Sequence, residues 1–324
     1  SGPVEIGPQS TLERFVEKIR VARSSPKWLL STLYFKGHTS RSIIMAPGHF
    51  GYPIEGFYVY GWSISGNETA VGVKTRGLFV LFDVGIAPTW SISAKHVFIS
   101  HGHIDHIGAI CQHMRKRELN NIGPATYYLL PHLIEPVKAL CRVYSELQGR
   151  ETVQMYEPKL VEMIAGSRIQ IENKWWVESF QTDHVVQSLG YLIFRQDFDT
   201  GELIPEIAYT GDTRFTIYTL PAHPKLLQVK LLISESTYLE DSKRSREYSQ
   251  KYGHICITDF AINSRLFREV GAIFLIHFSD RYSLQMIKNM VYSSLPKELA
   301  EKIYCSLAAK KALKVEHSVE PFMP

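Results

Sequence analysis

Between positions 101 and 106 the chain reads His101-Gly102-His103-Ile104-Asp105-His106. Three imidazoles and a carboxylate fall in six positions, directly after the apolar run Val97-Phe98-Ile99-Ser100. A loop leaving a strand can point alternate side chains to one side, so His101 and His103 can face one cation while Asp105 and His106 face a second. Imidazole and carboxylate without thiolate suit Zn²⁺, and also Mn²⁺ or Fe²⁺. Other ligand types recur where apolar runs end. His184 follows Val177–Phe180, Asp212 follows Ile207-Ala208 in Thr210-Gly211-Asp212-Thr213, and His277 follows Phe274-Leu275-Ile276. They complete two sets: His101, His103 and His184 for one ion, Asp105, His106 and His277 for the other, with Asp212 bridging. Two such ions would activate a hydroxide between them as the nucleophile of a hydrolysis. Asp83, in Leu81-Phe82-Asp83-Val84-Gly85, also ends an apolar run, where an unpaired carboxylate is costly. Its expected role is to accept a hydrogen bond from a ligand histidine and fix its tautomer; a turn aspartate before Gly85 is the competing reading.

The elements that must carry these residues read as strands first. From Gly51 onward, aromatic and β-branched runs alternate with glycine-containing turns, through Phe57-Tyr58-Val59-Tyr60, Thr69–Val73 and Leu78–Val84. Further strand-like runs are Tyr127–Leu130, Leu189–Phe194, Ile207–Thr210, Val229–Ser234 and Ala272–His277. Helical patterns cover Gly108–Leu119, Ile134–Leu147, Ile257–Val270, Ser283–Tyr292 and Pro296–Leu313. Strands dominate each half and helices follow them. That order predicts an α/β protein built as a four-layer αβ/βα sandwich, two sheets face to face with helices outside. Leu12–Arg23 reads as a short amphipathic helix within an N-terminal extension over 1–50, leaving 51–324 as the catalytic domain.

Composition bounds the rest. The 324 residues suffice for a sizeable core, and 45% hydrophobic with 21% charged residues is ordinary for a globular chain. A net charge of +4 permits a polyanionic substrate without demanding one. No run of about 18 uncharged apolar residues exists, so no membrane-spanning helix is expected. Cys111, Cys141, Cys256 and Cys305 are far apart, which fits free thiols in a reducing, intracellular setting.

Taken in order, Phe82-Asp83-Val84-Gly85, His101–His106, His184, Gly211-Asp212-Thr213 and His277 resemble the motifs of the metallo-β-lactamase superfamily. Three more stretches resemble tRNase Z, the tRNA 3′-processing endoribonuclease, in its short plant form. They are Gly51-Tyr52-Pro53-Ile54-Glu55-Gly56, Glu235-Ser236-Thr237-Tyr238 with Tyr252-Gly253-His254-Ile255, and His277-Phe278-Ser279-Asp280-Arg281-Tyr282. The resemblance spans about Gly51 to Leu295. It implies that Glu235 and His254 form a dyad beside the metals, His254 giving a proton to the departing oxygen and Asp105 assisting from the metal side. It also offers Ser279 and Arg281 as contacts to the substrate phosphate, and a homodimer as the assembly. One departure stands out: only 28 positions separate His184 from Asp212, where short-form members usually carry a flexible tRNA-gripping arm. The arm is therefore missing or cut to a hairpin around Asp197-Phe198-Asp199-Thr200-Gly201. Arg115-Lys116-Arg117 and Lys243-Arg244-Ser245-Arg246 are the basic clusters that could track RNA in its place.

The implied activity is endoribonucleolytic removal of tRNA 3′ trailers from pre-tRNA. A phosphodiesterase for a small substrate such as a cyclic nucleotide is the first alternative, because such a substrate needs no arm. A non-catalytic subunit binding RNA or protein is a third; it fits poorly with a full ligand set.

Overall fold

In a computed structural model, residues 51–149, 158–219 and 223–316 are described. The expected N-terminal extension and its helix over Leu12–Arg23 lie outside them. Among the described residues, fourteen strands form two seven-stranded sheets. The first sheet holds β1 (Tyr52–Ile54), β2 (Phe57–Ile64), β3 (Glu68–Thr75), β4 (Leu78–Phe82), β5 (His96–Phe98), β6 (Thr126–Leu129) and β7 (Lys159–Glu162) in chain order. The second holds β8 (Arg168–Glu172), β9 (Trp175–Gln181), β10 (Leu189–Gln196), β11 (Leu203–Tyr209), β12 (Leu231–Glu235), β13 (Ala272–Ile276) and β14 (Ile303–Cys305), again in order. In each sheet the first four strands are antiparallel neighbours and the last four parallel ones. The two halves of the chain therefore repeat one topology.

Burial follows from sequence. Parallel strands covered on both faces need continuous apolar runs, and β12 and β13, Leu-Leu-Ile-Ser-Glu and Ala-Ile-Phe-Leu-Ile, are buried throughout. One core lies between the sheets, with Val71, Val80, Phe82 and Phe98 of the first meeting Tyr191, Ile207, Ile233 and Phe274 of the second. Helices α2 (Ile110–Leu119) and α3 (Pro131–Leu147) cover the outer face of the first sheet through Ile110, Met114, Ile134 and Val137. Helices α5 (Ile257–Ile262) and α6 (Leu284–Ser294) cover the second through Phe260, Ile287 and Val291. This is the expected four-layer sandwich. Before α5 stands α4 (Lys243–Tyr252), which the sequence reading did not place; Ser242 caps its start and Gly253, at φ 75°, its end.

Two helical expectations need correction. Ile257–Val270 is not one helix: the Asn263 side chain donates back to the Asp259 carbonyl at 3.0 Å and ends α5, and a 3₁₀ turn over Ser264–Phe267 follows. Pro296–Leu313 is likewise split into α7 (Lys297–Ala300), β14 and α8 (Ala308–Glu316). Ile303-Tyr304-Cys305 extends because β13 offers an open edge that it pairs in parallel. Between His184 and Asp212 the chain makes only the β10–β11 hairpin. Asp197 closes its turn, its carboxylate accepting from the backbone N–H of Asp199 and Thr200 at 3.1 and 3.0 Å.

The fold brings one loop unusually close to a strand end. A single helical turn, α1 (Ile104–Ile107), carries Asp105 and His106 and is stitched to the chain after β4: Val84 N–H donates to the His106 carbonyl at 2.7 Å, and Ala109 N–H to that of Val84 at 2.9 Å. A Cβ on Gly85 would lie 1.8 Å from the Asp105 carbonyl oxygen. Gly85→Ala is therefore expected to push α1 off the sheet, with a loss of about 1–3 kcal/mol of stability or more. Thermal unfolding checks this; an unchanged midpoint would contradict it.

Candidate metal centre

The ends of β4, β5, β9, β11, β12 and β13, with the β2–β3 turn, meet at one rim of the sandwich, the carboxyl ends of the parallel strands. All seven expected ligands gather there. Asp105 Oδ2, His106 Nε2, His277 Nε2 and Asp212 Oδ2 form one cluster. Within it His277 lies 3.2 Å from Asp105 and 3.4 Å from Asp212, while His106 lies 3.5 Å from Asp105, 3.3 Å from Asp212 and 3.3 Å from His277. A tetrahedral cation with bonds of about 2.0–2.1 Å has ligand-to-ligand edges of about 3.3–3.4 Å, so these atoms match such a cage. The other cluster is looser. His103 Nδ1 stands 2.9 Å from His101 Nε2 and 3.4 Å from His184 Nε2, and His101 Nε2 is 3.8 Å from Asp212 Oδ2. Asp212 thus touches both groups, and its Oδ1, fully buried, has no hydrogen-bond partner. A buried carboxylate with one oxygen among imidazoles and the other without a hydrogen-bond partner fits a cation site.

The electrostatics agree. Burial and neighbouring imidazoles hold His101 well below the usual imidazole range, as a neutral ligand requires. Burial also lowers His103 and His184. Burial alone would lower His106 too, yet the carboxylates of Asp212 and Asp83 drive it well above its ordinary value. Asp212, despite complete burial, is held well below the carboxylate range by His106 and His277.

Each ligand's outer nitrogen is held as well, His103 excepted. Asp83, fully buried, accepts His106 Nδ1–H at 2.7 Å, and also Ser100 N–H at 2.7 Å, Ser100 Oγ–H at 2.8 Å and the Tyr209 hydroxyl. Ser100 Oγ lies 2.9 Å from His101 Nδ1, Thr237 Oγ1 lies 2.9 Å from His277 Nδ1, and the Gly253 carbonyl accepts His184 Nδ1–H at 2.8 Å. Such partners set tautomer and ring angle. Gly66 N–H, in the β2–β3 turn, donates to Asp105 Oδ2 at 2.8 Å. Sequence reasoning missed Ser100, Thr237, Tyr209, Gly66 and Gly253. Two of them act through backbone groups, which leave no side-chain signature. Asp83 (φ 57°) and His277 (φ 62°) both take the left-handed conformation that side chains disfavour, each at a strand end beside the cluster.

Glu235, the last residue of β12, is fully buried. One oxygen accepts His254 Nδ1–H at 2.9 Å and Thr213 N–H at 3.0 Å; the other accepts Thr237 Oγ1–H at 2.6 Å and the N–H groups of Thr237 and Ile255. His254 also lies 3.9 Å from Asp212, and its ring centroid 5.2 Å from that of His184. Burial would lower its pKa, but the Glu235 and Asp212 carboxylates push it up to about 9. Ser279 is half-buried and its N–H donates to the Thr237 carbonyl. Arg281 packs over Tyr238 and Tyr282 and pairs with Glu240 at 3.0 Å, so a substrate phosphate would compete with that acid.

No model in a scan of protein families matches the chain. Among solved structures, the metallo-β-lactamase fold protein YhfI of Bacillus subtilis aligns with a TM-score of 0.52 at 16% identity, covering 76% of this chain and 93% of that one. The human tRNase Z short form aligns with a TM-score of 0.53 at 17% identity, over 69% and 93%. These establish the metallo-β-lactamase fold. In sequence, tRNase Z TRZ1 of Arabidopsis thaliana is 33% identical over 275 residues, 78% of this chain and 95% of that protein. The chain belongs to the tRNase Z family.

Asp83→Ala leaves four donors unsatisfied. It is expected to cost about 3–5 kcal/mol in denaturant unfolding and about 10- to 100-fold in metal affinity by chelator competition. Wild-type values in both measurements would remove Asp83 from the centre's support.

Proposed function

We propose that the chain is a metal-dependent endoribonuclease that removes 3′ trailers from precursor tRNA, with Zn²⁺ as the ions. The observation that carries this reading is the buried Glu235 holding His254 beside the seven-residue cluster, in a chain of the tRNase Z family. Divalent cations held by His101, His103, Asp105, His106, His184, Asp212 and His277 would supply electrostatic stabilisation of the phosphate and activation of water. The protein's own residues do the rest. Glu235, fixed by Thr213, Thr237 and Ile255, orients His254 through Nδ1 and leaves Nε2 free to donate. As the oxygen of a hydroxide, the water already relieved of one proton, bonds to phosphorus, the P–O3′ bond breaks and the 3′-oxygen takes the proton from His254 Nε2. The upstream piece leaves with a 3′-hydroxyl and the trailer with a 5′-phosphate. Asp105, held by Gly66 N–H at 2.8 Å and beside His277, assists from the metal side.

The test is a side-by-side assay on precursor tRNA and cyclic mononucleotides. Precursor tRNA is expected to be cut at the trailer junction, and His254→Ala to lower kcat by about 10²- to 10⁴-fold while bound metal is retained. Turnover of the cyclic nucleotides alone would overturn the reading.

A further inference from the structure

With only a hairpin between His184 and Asp212, the protein must hold RNA elsewhere. Two basic clusters were candidates, and the structure separates them. Of Arg115-Lys116-Arg117, Arg115 pairs with Glu118, Lys116 donates to the Ala87 carbonyl, and Arg117 is buried, donating to the carbonyls of Ile92, Ala94 and Gly123. That cluster is spent inside the fold. In the second, Lys243 pairs with Glu247 and Arg246 with Asp241. Arg244 pairs with no acid among the described residues. It lies instead 5.2 Å over the ring of Tyr248, and Lys251 lies 5.0 Å over the ring of Tyr252. The two rings meet edge to face, 5.7 Å apart.

Arg244, Tyr248, Lys251 and Tyr252 are spaced i, i+4, i+7, i+8, one face of α4. Ser245 and Ser249, on the adjoining side of the helix, are buried against the fold. The stripe runs about 12 Å along the helix and ends at the centre itself. Tyr252 precedes Gly253, whose carbonyl holds His184, and His254 follows. Arg214 fastens this end by donating to the Gln250 carbonyl at 2.9 and 2.7 Å and pairing with Asp183 at 2.7 Å.

We propose that this face of α4 is an RNA-binding platform for the nucleotides just upstream of the scissile bond, the two tyrosines stacking on bases and Arg244 and Lys251 meeting phosphates. Partly exposed aromatic rings interleaved with cations that have no acidic partner among the described residues suit unpaired nucleic acid. The upstream assignment rests on the proposed reaction: His254 protonates the 3′-oxygen of the upstream piece, and α4 leads into His254.

Binding tests this without turnover. Fluorescence anisotropy gives dissociation constants of the holoenzyme for the upstream product, a tRNA ending in a 3′-hydroxyl, and for the trailer oligonucleotide. Tyr248→Leu with Tyr252→Leu is expected to weaken the upstream product by roughly tenfold or more. Arg244→Gln with Lys251→Gln is expected to weaken it too and to lower the salt slope by about 1.4. Trailer binding, and hydrolysis of bis(p-nitrophenyl) phosphate as a readout of an intact centre, are expected to stay within twofold. Unchanged affinity for the upstream product, or no wild-type binding of it, would overturn the platform. Loss confined to the trailer would overturn its placement, and a parallel loss of small-diester turnover would make the stripe scaffold. Failure of the proposed function looks different: the wild type would hydrolyse the small diester and leave precursor tRNA uncut.

Discussion

Asp212 sets the terms for the rest of the molecule. Its carboxylate is fully buried, one oxygen lies within 3.3–3.9 Å of four imidazoles, and the other has no hydrogen-bond partner. An isolated ion in such a place costs several kcal/mol. The surrounding histidines relieve it only by taking protons, which buried imidazoles resist. Divalent cations held there would resolve the conflict, because they would neutralise the carboxylates and leave the imidazoles uncharged. The stability of the rim and its capacity for chemistry therefore have one source.

The doubled topology explains how so many ligands reach one point. Each half of the chain ends its antiparallel run on a strand, β4 or β11, that is followed by an aspartate, Asp83 or Asp212. Where the sheets face each other, the Tyr209 hydroxyl crosses to Asp83, and Asp83 holds His106. A displacement of one sheet against the other would thus reach His106, a candidate metal ligand, through two hydrogen bonds. The left-handed backbone at Asp83 and His277 fits a rim whose geometry is imposed by packing on both sides.

Much of this was legible in the chain itself. Ligand residues that end apolar runs announce themselves, because a strand end is where a buried side chain meets open space, and His101–His106 was readable for that reason. The sandwich followed from strands grouped ahead of helices. The centre's support was harder to see. Thr237 sat inside a motif quoted for Glu235, Tyr209 looked like core, and Gly66 and Gly253 act through backbone atoms. Helix α4 read only as a charge cluster, since its aromatic and cationic face emerges only once Lys243 and Arg246 are seen to be paired. The segment after Pro296 misled because its pattern is helical in isolation, and only the open edge of β13 draws Ile303–Cys305 into a strand.

The most direct measurement is the divalent-ion content of the purified chain by mass spectrometry, for the wild type and for Asp212→Ala. Two ions per chain are predicted in the first and fewer than one in the second, since Asp212 touches both groups of ligands. A metal-free wild type that cuts RNA, or an Asp212→Ala protein that keeps both ions, would contradict the account.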